Sequence, residues 1–190
     1  MASQAEFWAS PNVEPKRAFR WLLYLNSGKI PSWLITKVSQ PGFKISEKEH
    51  QFLNHKFYYP GRVEWTEVKF TLVDAVSPDA TSQLQALLGQ SGYIYPDGIT
   101  ATTGGSGGTD TISKAKATAA IPDMKIQLIG PSAASTVGLA DATTAEDIGS
   151  WTLKNAWIRD VTFSELSYES DDLLNAEVTV RYDWAVYKKT

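Results

Sequence analysis

The amino-acid sequence predicts a mainly β fold, a sandwich or barrel of long antiparallel strands with one helix packed at its side. Three observations support this prediction. Residues 174–186 alternate between apolar and polar side chains almost without interruption. Residues 50–59 and 62–74 form two further extended segments around Pro60-Gly61. Residues 77–89 are the one stretch that carries both the start and the stop signals of a helix.

The N-terminal part begins with residues 1–16, which we expect to form a flexible arm or a segment ordered only by a partner. Residues 18–25 are predicted to form a strand, because this largely apolar run ends in the turn-forming sequence Asn26-Ser27-Gly28. Residues 32–39 are predicted to be another short extended segment. Prolines on both sides of this segment disfavour a helix there.

Two long strands, residues 50–59 and 62–74, are predicted to form a hairpin. Pro60 and Gly61 suit the central positions of a type II turn, since proline presets φ and glycine accepts a positive φ. Side chains on a strand alternate between its two faces. One face of the second strand carries Glu64, Thr66, Val68, Phe70 and Leu72. The other carries Val63, Trp65, Glu67, Lys69, Thr71 and Val73, so the two faces are less cleanly separated than in the last strand.

One helix is predicted over residues 77–89. Ser77 suits the N-cap, Pro78 is favoured at the first helical position, and Gly89 follows the last turn. The apolar residues of this segment fall on one face of a helix, and they are Ala80, Leu84, Leu87 and Leu88. We therefore expect the helix to dock on a sheet.

The middle of the chain, residues 90–149, is predicted to be a long insertion. It contains a Gly/Ser-rich run at 103–109 of the kind that behaves as a flexible coil. Residues 114–129 are predicted to form one strand or two, interrupted at Pro122-Asp123. Residues 130–149 are small and polar, so we expect a surface excursion there.

The C-terminal part is predicted to be extended over residues 151–163 and to turn at the acidic sequence 169–172. The final strand, residues 174–186, then has one apolar and one polar face. The apolar face contains Leu174, Ala176, Val178, Val180, Tyr182, Trp184 and Val186. The polar face contains Asn175, Glu177, Thr179, Arg181 and Asp183. One face can be buried while the other meets water.

Composition limits the function classes. The chain has 190 residues, enough for one domain with its own core, so we expect a single domain over 1–190. It contains no cysteine, which excludes disulfides and thiolate chemistry. We find no signal-peptide pattern and no apolar run of membrane-spanning length, so we expect a soluble protein made inside the cell. The first 75 residues carry more basic than acidic residues and the rest carry the reverse, which suggests attraction between subunits as an alternative to an ordinary solvated surface.

No catalytic or metal-binding motif is present. His50 and His55 are the only histidines, and their odd spacing in an extended region would place them on opposite faces. The glycine run at 104–108 lacks the Gly-Lys-Ser/Thr of a phosphate loop. The acidic cluster around residues 165–172 lacks the spacing of a calcium loop. We therefore expect no enzymatic activity, no cofactor and no metal.

Two stretches resemble the tail tube protein family of contractile-tailed bacteriophages, whose relatives include baseplate tube proteins and the tube proteins of contractile injection systems. The first is Pro41-Gly42-Phe43 followed by residues 53–74. The second is residues 153–161, then 166–168, the acidic turn and the closing strand. Together they span about a third of the chain. The arm at 1–16 and the long middle depart from smaller members of the family.

The resemblance implies a structural subunit. Six copies would form a ring, contributing strands to a shared inner β-barrel, and rings would stack into a tube through which DNA passes during ejection. The implied partners are further copies of the chain, the tail sheath, the baseplate and the tail terminator. The implied location is the tail of a virion, after synthesis in the host cytoplasm, without membrane insertion.

The polar strand faces are the candidate lining of the lumen. The candidate residues are Glu177, Thr179, Arg181 and Asp183 from the last strand, with Glu67, Lys69 and Thr71 from the hairpin. This set is mildly acidic, which suits a conduit because a strongly basic wall would bind phosphates. Two alternatives stay open within the fold, a baseplate tube initiator and an injection-system tube protein. A third, of another class, is a carbohydrate-binding β-sandwich that uses exposed tryptophans.

Overall fold

The computed structural model describes residues 15–25, 30–94, 111–122, 124–130, 147–169 and 171–189. Two four-stranded antiparallel sheets pack around one core, and a two-stranded ribbon extends from the second sheet. The predicted mainly β fold with antiparallel strands is confirmed. In the part of the chain that the structure describes, no helix is both long and apolar enough to cross a membrane.

Ten strands and two α-helices are described. Sheet I contains, in spatial order, β1 (Trp21–Tyr24), β6 (Met124–Ile129), β7 (Asp147–Lys154) and β10 (Trp184–Lys189). Sheet II contains, in spatial order, β2 (Ile35–Val38), β5 (Val68–Val73), β9 (Asn175–Arg181) and β8 (Trp157–Phe163). The ribbon pairs β3 (Phe43–Phe52) with β4 (His55–Trp65). The helices are α1 (Ala80–Gln90) and α2 (Lys114–Ala120).

The core lies between the two sheets. In sheet II, Phe70 of β5 is paired with Val178 of β9, and both are buried, as the alternation of these segments predicts. In sheet I, Ile126 of β6 is paired with Leu23 of β1, and both are buried. The two helices contact each other, and α2 also contacts the edge strand β8.

The final strand is not continuous, and this prediction was wrong. The chain leaves sheet II after Arg181, turns at Tyr182-Asp183 and enters sheet I as β10. The alternation changes phase at the turn, because Ala185 is buried whereas Trp184 and Val186 are each almost half exposed. The even-numbered residues of this segment therefore face the core only as far as Tyr182.

A hairpin is present, but the predicted pairing of residues 50–59 with 62–74 was wrong, because residues 43–52 pair with 55–65 and residues 68–73 belong to sheet II. The turn lies at Leu53-Asn54, where Leu53 adopts a φ of 52°. Pro60 and Gly61 lie inside β4, where the register slips so that Ser46 of β3 faces both Gly61 and Arg62. This β-bulge explains how proline is tolerated within a strand.

The helix predicted over 77–89 is confirmed with shifted ends. Asp79 is the N-cap, accepting a hydrogen bond from the Ser82 amide at 3.1 Å, and the helix runs through Gly89. Asp74 adds to the cap, since its carboxylate accepts from the amides of Ala80 at 3.0 Å and Thr81 at 3.3 Å. Of the predicted buried face, only Leu88 is exposed.

The middle of the chain differs from the prediction in its first half. Residues 114–120 form α2 rather than a strand, with the Ser113 hydroxyl capping its N-terminus by accepting from the Lys116 amide at 3.2 Å. The interruption at Pro122 and the following strand, β6, are confirmed. β7 begins inside the predicted surface excursion, at Asp147. The glycine-rich run and most of the excursion lie outside the described residues.

The remaining predicted strands are confirmed in shortened form. β1 occupies part of residues 18–25, and 151–163 is divided into β7 and β8 by a turn at Asn155-Ala156. Residues 32–39 contain β2, preceded by a 3-10 turn at Ser32–Leu34 that the prolines had led us to disfavour. Nearly all of the predicted arm, residues 1–14, lies outside the described residues.

Candidate functional site: a polar sheet face and an exposed ribbon

The outer face of sheet II brings most of the candidate lumen residues together. β5 and β9 pair antiparallel, so Lys69 lies opposite Thr179 and Thr71 lies opposite Glu177. These side chains point away from the core because the intervening residues of both strands are buried. The alternation of two separate segments thus produces one polar surface.

Ion pairs connect this surface. The Lys69 ammonium lies 3.3 Å from the Glu177 carboxylate. The Glu67 carboxylate accepts from the guanidinium groups of Arg159 and Arg181, the latter at 3.2 Å. The hydrogen bond from Arg159 holds the pKa of Glu67 below its usual range. Apart from Glu67, whose side chain is 21% exposed, the groups involved are about half exposed to water, so each pair contributes little to stability.

Two of the seven candidates differ from the others. Thr179 is almost completely buried, so it offers little surface. Asp183 lies beyond the end of β9, at the crossing between the sheets, where its carboxylate accepts from Lys114 of α2 at 2.7 Å and from Asn155 at 2.7 Å. The hydrogen bond from Lys114 lowers the pKa of Asp183 below its usual range. Asp183 therefore holds α2 against the crossing rather than extending the polar face.

The polar face includes residues that sequence reasoning missed. Lys37 of β2 lies opposite Thr71, and Asp160 of β8 lies opposite Thr179. Arg159 reaches Glu67 from a register irregularity in β8, between Ile158 and Asp160. This irregularity hides the alternation in the sequence of β8, so no local pattern marked these residues.

The β3–β4 ribbon is the second distinctive surface. Both of its strands are exposed along almost their whole length, and the ribbon has few contacts with other elements. Its exposed apolar side chains are Phe43, Ile45, Phe52, Leu53, Phe57, Tyr58, Tyr59 and Val63. An isolated two-stranded hairpin is at best marginally stable in water, and large exposed apolar patches usually mark interaction sites.

The ribbon is a direct extension of sheet II. Its base is tied to the sheet by hydrogen bonds from the Thr66 amide to the Gly42 carbonyl and from the Ser39 amide to the Lys69 carbonyl, both 2.8 Å. The Phe43 ring packs edge-on against Trp65, with ring centroids 5.6 Å apart. The ribbon therefore projects from one end of β5, and its tip is farthest from the core.

The bulge divides the apolar residues of the ribbon between its two faces. Below the bulge, Phe43 pairs with Trp65 and Ile45 with Val63, which places these four on one face. Between the bulge and the turn, the odd-numbered residues of β4, such as Phe57 and Tyr59, point to the other face of the ribbon. The reason is that the extra residue in β4 shifts its alternation by one. That tip face carries Lys48, His50, Phe52, His55, Phe57 and Tyr59.

His50 and His55 lie on opposite sides of the turn and share the tip face, so the prediction that they lie on opposite faces was wrong. Among the residues described by the structure, no group of three His, Cys, Asp or Glu side chains could hold a metal ion. The aromatic residues of the ribbon, rather than a pocket with titratable groups, are thus the conspicuous surface feature of the described chain.

Comparison with known proteins identifies the fold. No protein-family model and no curated protein sequence matches the chain. A chain of the anti-feeding prophage cap, described as the tube terminating cap, matches over 100% of both chains, with a TM-score of 0.60 and 14% identity. A chain of the anti-feeding prophage baseplate matches over 93% of this chain and 97% of its own, with a TM-score of 0.59 and 13% identity.

A third match comes from the sheath/tube terminator of PVC, an extracellular contractile injection system, in its extended state. It covers 93% of this chain and 99% of the other, with a TM-score of 0.59 and 15% identity. The matched chains belong to structural assemblies. The expected likeness to tail tube proteins and their relatives is thereby confirmed at the level of the fold.

Proposed function

We propose that this chain, which has the fold of components of contractile injection systems, is a structural tube subunit that forms hexameric rings stacked around a lumen. The observation on which this rests is the exposed β3–β4 ribbon. Its apolar side chains have no core of their own, and Phe52, Phe57 and Tyr59 are each about half exposed or more. A second copy of the chain would bury them, so the isolated subunit is incomplete.

The open edges of sheet II support a shared barrel. β2 and β8 are its outer strands, and each leaves one row of backbone groups without a strand partner within the described sheet. Exposed edges of this kind invite pairing with another chain, and closure into a barrel removes them. Six copies joined edge to edge, with the ribbons in continuation, would close such a barrel.

The outer face of sheet II suits the lumen of that barrel. Three of its four bases are paired with carboxylates, Lys69 with Glu177, and Arg159 and Arg181 with Glu67. A base that is already neutralised gains less from a phosphate, so the wall would allow DNA to slide. On this assignment Asp183 and Thr179 contribute little. The lumen is lined by Glu67, Lys69, Thr71, Glu177 and Arg181, together with Lys37, Arg159 and Asp160.

The setting of such a tube would be the tail of a contractile particle assembled in the host cytoplasm. Sheath, baseplate and terminator proteins would be its partners, with DNA as the transported polymer. A second candidate is an injection-system tube or baseplate initiator that passes protein effectors. The matches to chains from the anti-feeding prophage and from PVC favour this candidate over a phage tail.

Electron microscopy of the purified protein, with its mass in solution measured by light scattering, tests the proposal. We expect six-fold rings or hollow tubes with the mass of multiples of six chains. Compact monomers at all concentrations would refute it and would favour the carbohydrate-binding alternative. That alternative predicts glycan binding through exposed tryptophans such as Trp33, which is 59% exposed.

A further inference from the structure

Sheet II has one open edge on each side, formed by β2 and by β8. Every pair of neighbouring strands in this sheet is antiparallel, so β2 and β8 run in opposite directions. A second copy, related to the first by rotation about a barrel axis, would therefore place its β2 antiparallel to β8 of the first copy. The side chains beside the two edges would then face each other.

The feature beside the β2 edge is an exposed tryptophan. Trp33 lies in the 3-10 turn directly before β2 and is 59% exposed, whereas the next two residues, Leu34 and Ile35, are buried. Ile35 pairs with Leu72, close to the C-terminal end of β5. Trp33 therefore lies at the end of sheet II at which β5 ends.

The feature beside the β8 edge is an apolar groove of about 690 Å³ between that strand and the two helices. Its lining includes Leu84 and Leu88 of α1 and Phe163 of β8. Leu88 and Phe163 are 41% and 50% exposed, so the groove is not filled within one copy. Because Asp74 at the end of β5 caps α1, the part of the groove near Leu84 and Phe163 lies at the same end of sheet II as Trp33.

The polar face of sheet II carries one unpaired charge on each edge strand. Lys37 of β2 and Asp160 of β8 form no ion pair with any other described residue of the chain. Lys37 is in register with Thr71, and Asp160 with Thr179. These positions are one same-face row apart. A stagger of two residues between copies would place Lys37 opposite Asp160, and without stagger the two would be diagonal neighbours about 7–8 Å apart.

We propose that Trp33 of one copy docks in the groove between β8 and the helices of the next copy around the ring, with Lys37 paired to Asp160 on the polar face. The inference rests on the proposed tube function and names the side chains that select the partner edge. Charge complementarity and the antiparallel order of the strands identify a second copy as the occupant of the groove.

These side chains supply what edge pairing alone lacks. Backbone groups on an open edge can pair with many strands and in several registers. A tryptophan anchored in a pocket and a charge pair favour one partner in one register. The docking residue and the groove lie on different edges of the subunit, so each copy binds one neighbour on each side and the contacts can close into a ring.

Truncation of the anchor tests the docking. Loss of a buried interface tryptophan typically weakens a contact by roughly 30-fold or more. Trp33→Ala should therefore raise the protein concentration needed for rings by at least this factor, as measured by light scattering and electron microscopy. Its melting temperature as a monomer should stay unchanged, because the side chain is exposed in the single copy. Trp184→Ala, which removes a half-exposed tryptophan from sheet I, is the matched control and should assemble normally. Rings from Trp33→Ala at the wild-type concentration would overturn the proposal.

Charge exchange tests the register of the two edges. Lys37→Asp and Asp160→Lys should each weaken ring formation, because like charges then meet at every junction. The two substitutions combined in one chain restore an opposite pair at each junction, so rings should return. Lys188→Asp in sheet I is the control for the change of net charge. A combined variant that assembles no better than the single variants would refute the pairing.

Cross-linking measures the contact directly. The chain has no native cysteine, so Ser32→Cys beside the anchor and Gln85→Cys in the groove introduce the only thiols. With a short bismaleimide, the double variant should give covalent multimers that stop at six chains, and neither single variant should give any. Rings without these multimers would overturn the inference and leave the tube function intact, whereas a wild type that stays monomeric would refute the tube function itself.

Discussion

Substitution of Gly61 by alanine should impair assembly without lowering the stability of the isolated subunit. A Cβ atom at this position would collide with the Ser46 hydroxyl and would lie 3.0 Å from the Ser46 carbonyl oxygen. The hydroxyl can rotate away, but it then loses the hydrogen bond that it accepts from the Arg62 amide at 2.9 Å. The backbone contact stays tight in either case, so the bulge itself must deform.

The expected cost follows from these contacts. Loss of the hydrogen bond costs about 1 kcal/mol, and overpacking against backbone costs about 1–3 kcal/mol. The ribbon makes few contacts outside its own two strands, so this cost should appear as local opening rather than global unfolding. A deformed bulge would also misplace the tip face relative to the base of the ribbon.

Hydrogen exchange and electron microscopy measure the two effects. Amides of residues 43–65 should exchange faster in the Gly61→Ala monomer, the melting temperature should stay close to that of the wild type, and tubes should be lost. Gly89→Ala is the matched control, because a Cβ there meets nothing within 4 Å. It should stabilise α1 by roughly 0.5–1 kcal/mol and leave assembly unchanged. Normal tubes from Gly61→Ala, or a large fall in its melting temperature, would refute the reasoning.

Three other predictions concern the body of the subunit and the polar face. Phe70→Ala should lower the free energy of unfolding by about 3–5 kcal/mol, whereas Lys69→Ala on the opposite face should change it by about 0.5 kcal/mol or less; equal losses in denaturant titrations would contradict the assigned faces. Asp183→Asn should destabilise by up to about 1 kcal/mol at neutral pH. Because the folded-state pKa of Asp183 is lowered, the wild-type advantage should be present above the ordinary aspartate pKa and disappear as the pH falls through the folded value; a pH-independent difference would exclude the Lys114 pair as its source. Glu177→Lys with Thr71→Lys should leave ring assembly intact but slow the passage of DNA and increase DNA retention, more strongly at low salt; unchanged transport would refute the lumen assignment.

Some features of the site could be predicted from sequence because they depend only on alternation within one strand. Lys69 and Thr71 on β5, and Glu177 and Arg181 on β9, fall on the solvent side as their apolar neighbours fall on the core side. The helix was recognised from its cap residues, yet Ser77 was chosen over Asp79. The choice is decided by Asp74, whose carboxylate binds the first amides of α1 from the end of β5.

The sequence by itself determined that the chain is mainly β and that β5 and β9 each have one core-facing and one solvent-facing side. It also indicated a hairpin before the helix, but not which residues pair in it. Only the tertiary structure decided where those faces change. Phe57, Tyr59, Val63 and Trp65 share one parity, but the bulge at Gly61 divides them between two faces. Residues 174–186 alternate continuously, but the turn at Tyr182-Asp183 moves the chain to the other sheet and buries Ala185 instead. Alternation groups residues only while a strand keeps its register, and register is set by partner strands that are distant in the sequence.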